Sequence, residues 1–374
     1  MNPPDITIPY QLLPTDGRFG CGPSKVRAEQ ILALGQANRH ILGTSHRQAP
    51  VKDLVGSVRS GLADLFALPD DWTILLGNGG STMFWDAATF GLIKQHSHHA
   101  VFGEFSSKFA EAATKAPHIG EPTISRSDPG DHPAIAKAAD GADVVALTHN
   151  ETSTGVSMDL RRPDGDALVV VDATSAAGGL SWDPAQVDVY YFAPQKSFGS
   201  DGGLWLAACS PKAEQRIREI SATKRWTPAS LDLGIALDNS LANQTYNTPS
   251  LSNLVLLNDQ VQWMLANGGM TWCTNRTRES SGYLYSWAES CDYTTPFVAD
   301  ATKRSAVVGT IDLHEFVRAD DVCAALRANA IVDTDSYRKL GRNQLRIGMF
   351  PAVDPHDIIK LTQCIDYVVE VLTS

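Results

Sequence analysis

Between Thr73 and Ser210 the chain alternates short apolar runs with mixed segments long enough to cross over a sheet: TILLG, AVFGEF, DVVALTH, ALVVVDATS, VDVYYFAP and GLWLAACS. Runs that are apolar at every position, rather than at every second one, predict strands buried on both faces. That pattern belongs to a mostly parallel sheet with helices above and below. Helical spacing of Leu54, Val55, Val58, Leu62 and Leu65 predicts a helix over 51–66, and a second is predicted over 81–93, after the glycines of GNGGST. From about residue 260 the texture changes. An amphipathic segment over 251–265 leads into SAVVGTIDL, a helical ADDVCAALRAN, a strand-like QLRIGMF and a final helix with Ile358, Leu361, Ile365, Val368 and Leu372 on one face. The predicted architecture is α/β in two parts, a large one over 16–262 and a smaller α+β one made of 1–15 and 263–374.

Composition narrows the function classes. With 374 residues, 43% hydrophobic and 20% charged, the chain can bury a substantial core. Its longest apolar runs fall short of the roughly 18 residues of a membrane span, and MNPPDITIPY lacks the basic and apolar regions of a secretory signal. A cytoplasmic protein with no membrane partner is expected. A net charge of −11 argues against a nucleic-acid partner, so any anionic ligand must be met by local arginines and histidines. Cys21, Cys209, Cys273, Cys291, Cys323 and Cys364 show no C-x-x-C spacing, and neither a disulfide framework nor a zinc site is expected. His96, His98 and His99 of HSHH have no spaced partner to complete a metal set, and a solvated loop is the expectation there.

Three features carry chemistry. Asp172 follows four apolar residues, at the carboxyl end of a predicted parallel strand, where open α/β sheets place their ligands; a carboxylate there would equally cap the next turn. Lys196 ends the next strand-like run, and Gly199, Gly202 and Gly203, with Gln195 and Ser197 beside it, point to close backbone approach to something other than side chains. A structural ion pair with Asp172 would also account for it. In GNGGST a strand runs through glycines into Ser81 and Thr82 at a helix start, which offers N–H groups and hydroxyls to a phosphate without matching a P-loop. Together they meet the needs of a pyridoxal phosphate enzyme: a lysine whose amine joins the cofactor, an acid that keeps the pyridine nitrogen protonated, and a helix terminus that holds the phosphate.

At the level of whole motifs the chain resembles the phosphoserine aminotransferases, class V enzymes of the fold-type I pyridoxal phosphate group, in their actinobacterial form. RFGCGPSKV, GTSHRQAP, GNGGST, HNETSTGV, VVVDATS, YYFAPQKSFGSDGGLWL, TYNTPS and YRKLGRNQLRIGMFPA carry the likeness, in order, over nearly the whole chain. It implies a seven-stranded large-domain sheet, pyridoxal 5'-phosphate as cofactor, and Lys196 and Asp172 as catalytic residues. Thr152 is implied to meet the ring's phenolic oxygen, Phe105 to stack on the ring, and Ser81, Thr82, Thr174 and Gln195 to hold the cofactor; the alternative for Phe105 is a place in the core. Asn247 and Thr248 are implied to come from the neighbouring subunit of a homodimer with shared sites. His46 and Arg47 match the family's substrate-phosphate site across that interface, and Arg346 its α-carboxylate site.

Two departures stand out. Many relatives place an arginine in the glycine turn, where this chain has Ser81 and Thr82. The stretch from Tyr337 to Arg346 is also longer, so the family's His-Arg pair there has no clean counterpart, and Arg338, Lys339 and Arg342 all stay open for the phosphate. The implied reaction is a ping-pong transamination between glutamate and 3-phosphohydroxypyruvate, giving 2-oxoglutarate and O-phosphoserine, with 4-phosphohydroxythreonine of vitamin B6 synthesis as a related substrate. The nearest rival is a class V aminotransferase acting on serine or alanine with glyoxylate or pyruvate, which does not need His46 and Arg47. A cysteine desulfurase would need a mobile cysteine between Cys323 and Cys364, and a hydrolase a G-x-S-x-G elbow; both are missing from the sequence.

Overall fold

The apolar runs become strands in the computed structural model, which describes residues 6–374. In chain order the strands are β1 (Thr73–Asn78), β2 (Ser97–Val101), β3 (Thr123–Arg126), β4 (Val144–Thr148), β5 (Asn150–Glu151), β6 (Val156–Ser157), β7 (Leu168–Asp172), β8 (Val189–Phe192), β9 (Leu204–Cys209), β10 (Thr294–Pro296), β11 (Val308–Leu313) and β12 (Gln344–Gly348). Seven of them form one sheet in the order β1-β9-β8-β7-β4-β2-β3. β9 is antiparallel to both of its neighbours, and the pairs from β8 to β3 are parallel. The seven-stranded, mostly parallel sheet is therefore as expected.

Why the strands read as continuous apolar runs is visible in their two faces. Val169 and Val171 of β7 join one core cluster with Val145, Leu147, Tyr190 and Phe192. Leu168 and Val170 join another with Val144, Ala146, Val189 and Tyr191. Alternate side chains of a strand point to opposite faces, so both faces must be covered for every residue to be apolar. Helix Ala49–Leu65 covers the first face with Leu54, Val55, Val58, Leu62 and Leu65. Helix Gly80–Gly91 covers the second with Phe84, Trp85, Ala87 and Ala88.

The segment after residue 260 builds a three-stranded antiparallel sheet, β10-β11-β12. Its core gathers Ile311, Leu345 and Ile347 with Val322 and Leu326 of helix Ala319–Ala328, and Ile358, Leu361, Ile365 and Val368 of helix Pro355–Thr373. Ile6 and Ile8 join that cluster. Of the expected 1–15 segment, residues 1–5 lie outside the described residues.

Two local readings are corrected. HSHH is no solvated loop: Ser97, His98 and His99 lie in β2, with His99 only 1% exposed. Each ring finds a hydroxyl, His98 Nε2 at 2.8 Å from Ser125 Oγ and His99 Nε2 at 2.9 Å from Ser97 Oγ, so the imidazoles are satisfied core groups. Burial holds the His99 imidazole well below its ordinary range, at about 3. The second correction concerns AVFGEF, which is strand only to Val101. Glu104 opens a helix, Glu104–Lys115, whose first-turn N–H groups at Phe105 and Ser106 donate to the buried Glu151 carboxylate.

Candidate active site

The carboxyl ends of β1, β4, β7 and β8, and the amino end of the antiparallel β9, meet at one edge of the sheet. The side chains that leave this edge line a cavity of about 310 Å³. Ser81, Thr82, Phe105, Thr152, Asp172, Thr174, Gln195 and Lys196 all line it, so eight of the expected site residues are brought together. The open side of a parallel sheet collects them because each strand delivers its next loop to the same edge.

Asp172, the last residue of β7, is 4% exposed and accepts four hydrogen bonds. Thr174 donates to Oδ1 through its N–H at 2.9 Å and its hydroxyl at 2.6 Å. Trp85 Nε1 and the Tyr191 hydroxyl each donate to Oδ2 at 3.1 Å. All four donors are neutral. The carboxylate is thus oriented but its charge is not balanced by any ion pair among the described residues.

Lys196 is buried, and its Nζ donates to Thr152 Oγ1 at 2.8 Å and lies 5.4 Å from the centre of the Phe105 ring. Burial lowers its pKa from 10.5 to about 8; the charge of Arg346 adds to the fall, while Cys21 and Asp172 oppose it. The backbone around it is held from behind. Ser24 bonds through its N–H to the Gln195 carbonyl and through its hydroxyl to that of Lys196, while Gln260 Nε2 donates to the Ser197 carbonyl at 3.0 Å. Gly22 presses on the lysine stem, since a Cβ there would lie 2.8 Å from Lys196 Cε.

Helix Gly80–Gly91 begins at this cavity after Gly79, in the left-handed region at φ +112°, with no side chain capping it. Its first-turn N–H groups are left for an anion, beside Ser81 and Thr82. Ser81 Oγ lies 2.6 Å from Thr174 Oγ1, which ties this phosphate-type cradle to Asp172. Gln195 Oε1 is buried with no hydrogen-bond partner. A buried carboxylate without a cationic partner and an uncapped helix terminus, set around one lysine, fit a cofactor with a cationic ring nitrogen and a phosphate.

The expected substrate residues are dispersed. Arg346, on β12, donates to the Thr152 carbonyl at 3.3 Å and lines a hollow of about 200 Å³ that shares Gly22 with the lysine cavity. Its Nε is buried and unpartnered. Tyr337 lies beside both residues, its ring centre 5.2 Å from the Arg346 guanidinium and 6.2 Å from that of Phe105. His46, Arg47, Asn247 and Thr248 do not line the lysine cavity. They gather on a neighbouring face, with Thr248 Oγ1 3.1 Å from His46 Nδ1 and Arg47 donating to Gln244 Oε1 at 2.5 Å; Asn78 Nδ2 reaches Asn247 Oδ1 at 3.0 Å. Of the three open candidates, Lys339 pairs with Glu104 at 2.5 Å and Arg342 with Asp312 at 2.5 Å, while Arg338 is exposed. Arg342 also stacks over Phe297 and is turned away from the cavity.

Sequence reasoning missed Trp85, Asn150, Tyr191 and Gly22. Trp85 and Tyr191 look like core residues in the sequence, and their polar tips become visible only once β7, β8 and the helix are packed. Asn150 stood in the quoted HNETS run and lines the cavity.

Comparisons with known proteins agree with this geometry. The family model described as Aminotransferase class-V matches residues 26–334. A putative phosphoserine aminotransferase of Mycobacterium avium (strain 104) is 59% identical over 367 residues, 98% of each chain. The phosphoserine aminotransferase of Rhodococcus jostii (strain RHA1) is 56% identical over the same length and share. Among solved structures, a phosphoserine aminotransferase from Cytophaga hutchinsonii superposes with a TM-score of 0.88 at 24% identity, covering 94% of this chain and 99% of its own, a likeness of fold.

Proposed function

This chain belongs to the class-V aminotransferase family, and from that membership we propose that it is a phosphoserine aminotransferase, a pyridoxal 5'-phosphate enzyme exchanging an amino group between glutamate and 3-phosphohydroxypyruvate to give 2-oxoglutarate and O-phosphoserine. The observation that carries the chemistry is the single cavity in which Lys196, Asp172 and an uncapped helix terminus face one another. The substrate reading is supported by the near full-length likeness to proteins of that name.

When bound, pyridoxal phosphate supplies the electron sink for the pair left at the substrate α-carbon and stores the amino group between half-reactions. Asp172, oriented by its four donors, would face the ring nitrogen and favour its protonated form. Ser81, Thr82, Gln195 and the first helical N–H groups hold the phosphate, and Phe105 covers the ring. With the cofactor bound, Lys196 would be the group that takes up and returns the substrate Cα proton. A pKa of about 8 leaves part of its amine neutral near physiological pH, as a base at that position requires. Arg346 receives the α-carboxylate, with two parallel N–H bonds to fix the Cα–H bond against the ring.

His46, Arg47, Asn247 and Thr248 complete the site from a second copy of the chain, which is why they gather away from the lysine cavity of their own chain. The enzyme is then a cytoplasmic homodimer. No helix among the described residues is long and apolar enough to cross a membrane. The deciding measurement is the near-ultraviolet and visible spectrum of the loaded protein before and after O-phosphoserine, with serine and alanine as controls. Conversion to the amine form of the cofactor by O-phosphoserine alone supports the reading. Conversion by serine or alanine instead replaces it with the unphosphorylated-substrate reading.

A further inference from the structure

Glu151 is a buried carboxylate that the proposed chemistry does not use. It ends β5, is 0% exposed and forms no ion pair among the described residues. Its partners are neutral donors, from the start of helix Glu104–Lys115 and from Ser153. The N–H groups of Phe105 and Ser106 donate to Oε2 at 3.2 Å and 2.9 Å, and the Ser106 hydroxyl joins them at 2.9 Å. Ser153 donates to Oε1 through its hydroxyl at 2.7 Å and its N–H at 3.3 Å, and the same hydroxyl oxygen accepts the Glu104 N–H at 3.1 Å. Three consecutive N–H groups of the helix start thus end on Glu151 and Ser153, where the positive end of the helix dipole offsets the charge.

A serine or aspartate in place of Gly103 would cap the same N–H groups without a charge buried this deeply. It would tie the helix only to itself, whereas Glu151, 46 positions further along the chain than Phe105, ties it to the strand that leads into Thr152. Gly103 permits the close approach, since an added Cβ there would lie 2.3 Å from Glu151 Cγ and 2.7 Å from Ser153 Oγ. What the clamp joins is two walls of the lysine cavity. The Phe105 ring centre is 5.4 Å from Lys196 Nζ, and Thr152 Oγ1 is 2.8 Å from the same nitrogen. Because Phe105 is only half-buried, packing on one side alone does not fix its ring, which takes its place from the main chain that carries it.

We propose that Glu151 is a positioning residue for the cofactor: by locking the Phe105 main chain to the strand before Thr152, it keeps the Phe105 ring in one place for stacking on the pyridine ring. This rests on the cavity being a pyridoxal phosphate site with Phe105 as its aromatic cover. The carboxylate does not line the cavity and acts only through the residues it joins.

Glu151→Gln keeps the volume but sets an amide NH2 where only donors face it, so one side of the clamp is lost. Ser153→Ala is a milder second variant, which removes one donor to the carboxylate and the acceptor for the Glu104 N–H. The first readout is fluorine NMR of the cofactor-free full chain carrying a 4-fluoro label on the Phe105 ring. One narrow resonance is expected for the unaltered sequence and a broadened or divided one for both variants, less so for Ser153→Ala. The second is the Kd for pyridoxal 5'-phosphate from equilibrium dialysis, expected to rise about fivefold in Glu151→Gln. In a Phe105→Leu background the same change should alter Kd by less than about twofold, because the ring it places is gone, while its cost in urea melts stays the same in both backgrounds. A mere helix cap would show the melting cost without this coupling. An unmoved resonance, an unchanged Kd, or equal weakening in the Phe105→Leu background, which would put the effect at Thr152 or in the fold, overturns the proposal. Failure of pyridoxal 5'-phosphate to bind the unaltered protein would strike the cofactor reading instead, and the fluorine spectrum would still decide whether Glu151 places the ring.

Discussion

At the scale of single residues the site combines buried charge with neutral hydrogen-bond donors. Lys196 illustrates the cost. Its folded pKa, about 8, lies below the ordinary 10.5, so between these values the unfolded chain holds a proton that the folded one does not, and stability rises with pH across that window. Below about pH 8 the full penalty, roughly 3 kcal/mol, is present. Cofactor-free Lys196→Met should therefore be more stable than the unaltered protein at pH 7 by up to that amount, with the gain fading toward pH 10.5; urea melts across pH read this directly. The same variant should lose transamination by more than about a thousandfold. Trp85→Phe keeps the ring but removes one donor from the buried Asp172 carboxylate, and should cost about 1.5–3 kcal/mol in denaturant melts. Lys196 and Asp172 were legible in sequence because polar residues at the ends of apolar runs break a pattern. Trp85 was not, since its partner Asp172 is supplied by a strand far along the chain, and an indole in an apolar helix breaks no pattern at all.

At the scale of elements, helices reach across the molecule to hold the lysine loop. Gln30 of helix Ala28–Ala37 donates through one amide nitrogen to the carbonyls of Phe198 and Gly199, each at 3.1 Å, and of Leu256 at 2.9 Å. Gln30→Leu leaves the two buried loop carbonyls of Phe198 and Gly199 short of a donor and should destabilise by about 2 kcal/mol or more. Faster hydrogen exchange of the loop after Lys196 would accompany the loss. The sheet strands and helix Ala49–Leu65 were legible because their periods of burial are carried by apolar residues. Helix Gly269–Ser290 was not read as an element. The first part of its buried face consists of Cys273, Thr274, Thr277, Ser280 and Ser281, small and mostly hydroxylated residues, and an apolar signal at helical spacing begins only with Leu284, Trp287 and Ala288. β3 escaped for a related reason, because it is an edge strand whose residues alternate between half-buried and exposed. β2 was misread in its histidines, which carry polarity into the core only because Ser97 and Ser125 are placed to satisfy them.

At the scale of the whole molecule, the separation of Arg47 from the lysine cavity gives the proposed homodimer a functional readout. Arg47→Ala should raise KM for O-phosphoserine at least tenfold while leaving the resting cofactor spectrum unchanged. If sites are shared, mixing subunits of Arg47→Ala with subunits of Lys196→Ala should give, at O-phosphoserine well below the KM of the unaltered enzyme, about a quarter of its activity, since half of the dimers then carry one intact site. No recovery in dimers verified as mixed by mass would mean that each chain builds its site alone. The order of strands also has a bearing on how the chain comes to be folded. β1 touches the sheet only through β9, with Thr73 opposite Cys209, so its hydrogen-bonding partner emerges from the ribosome more than a hundred residues after it. Until β9 arrives, β1 has no edge to join, and the glycine turn that follows it has no fixed place relative to Lys196. Closure of so distant a pair is slow. The half-sheet from β8 to β3 can form first, and the glycine turn with its free helix terminus is then set in place last, by β9, the one strand of this sheet among the described residues that runs against its neighbours.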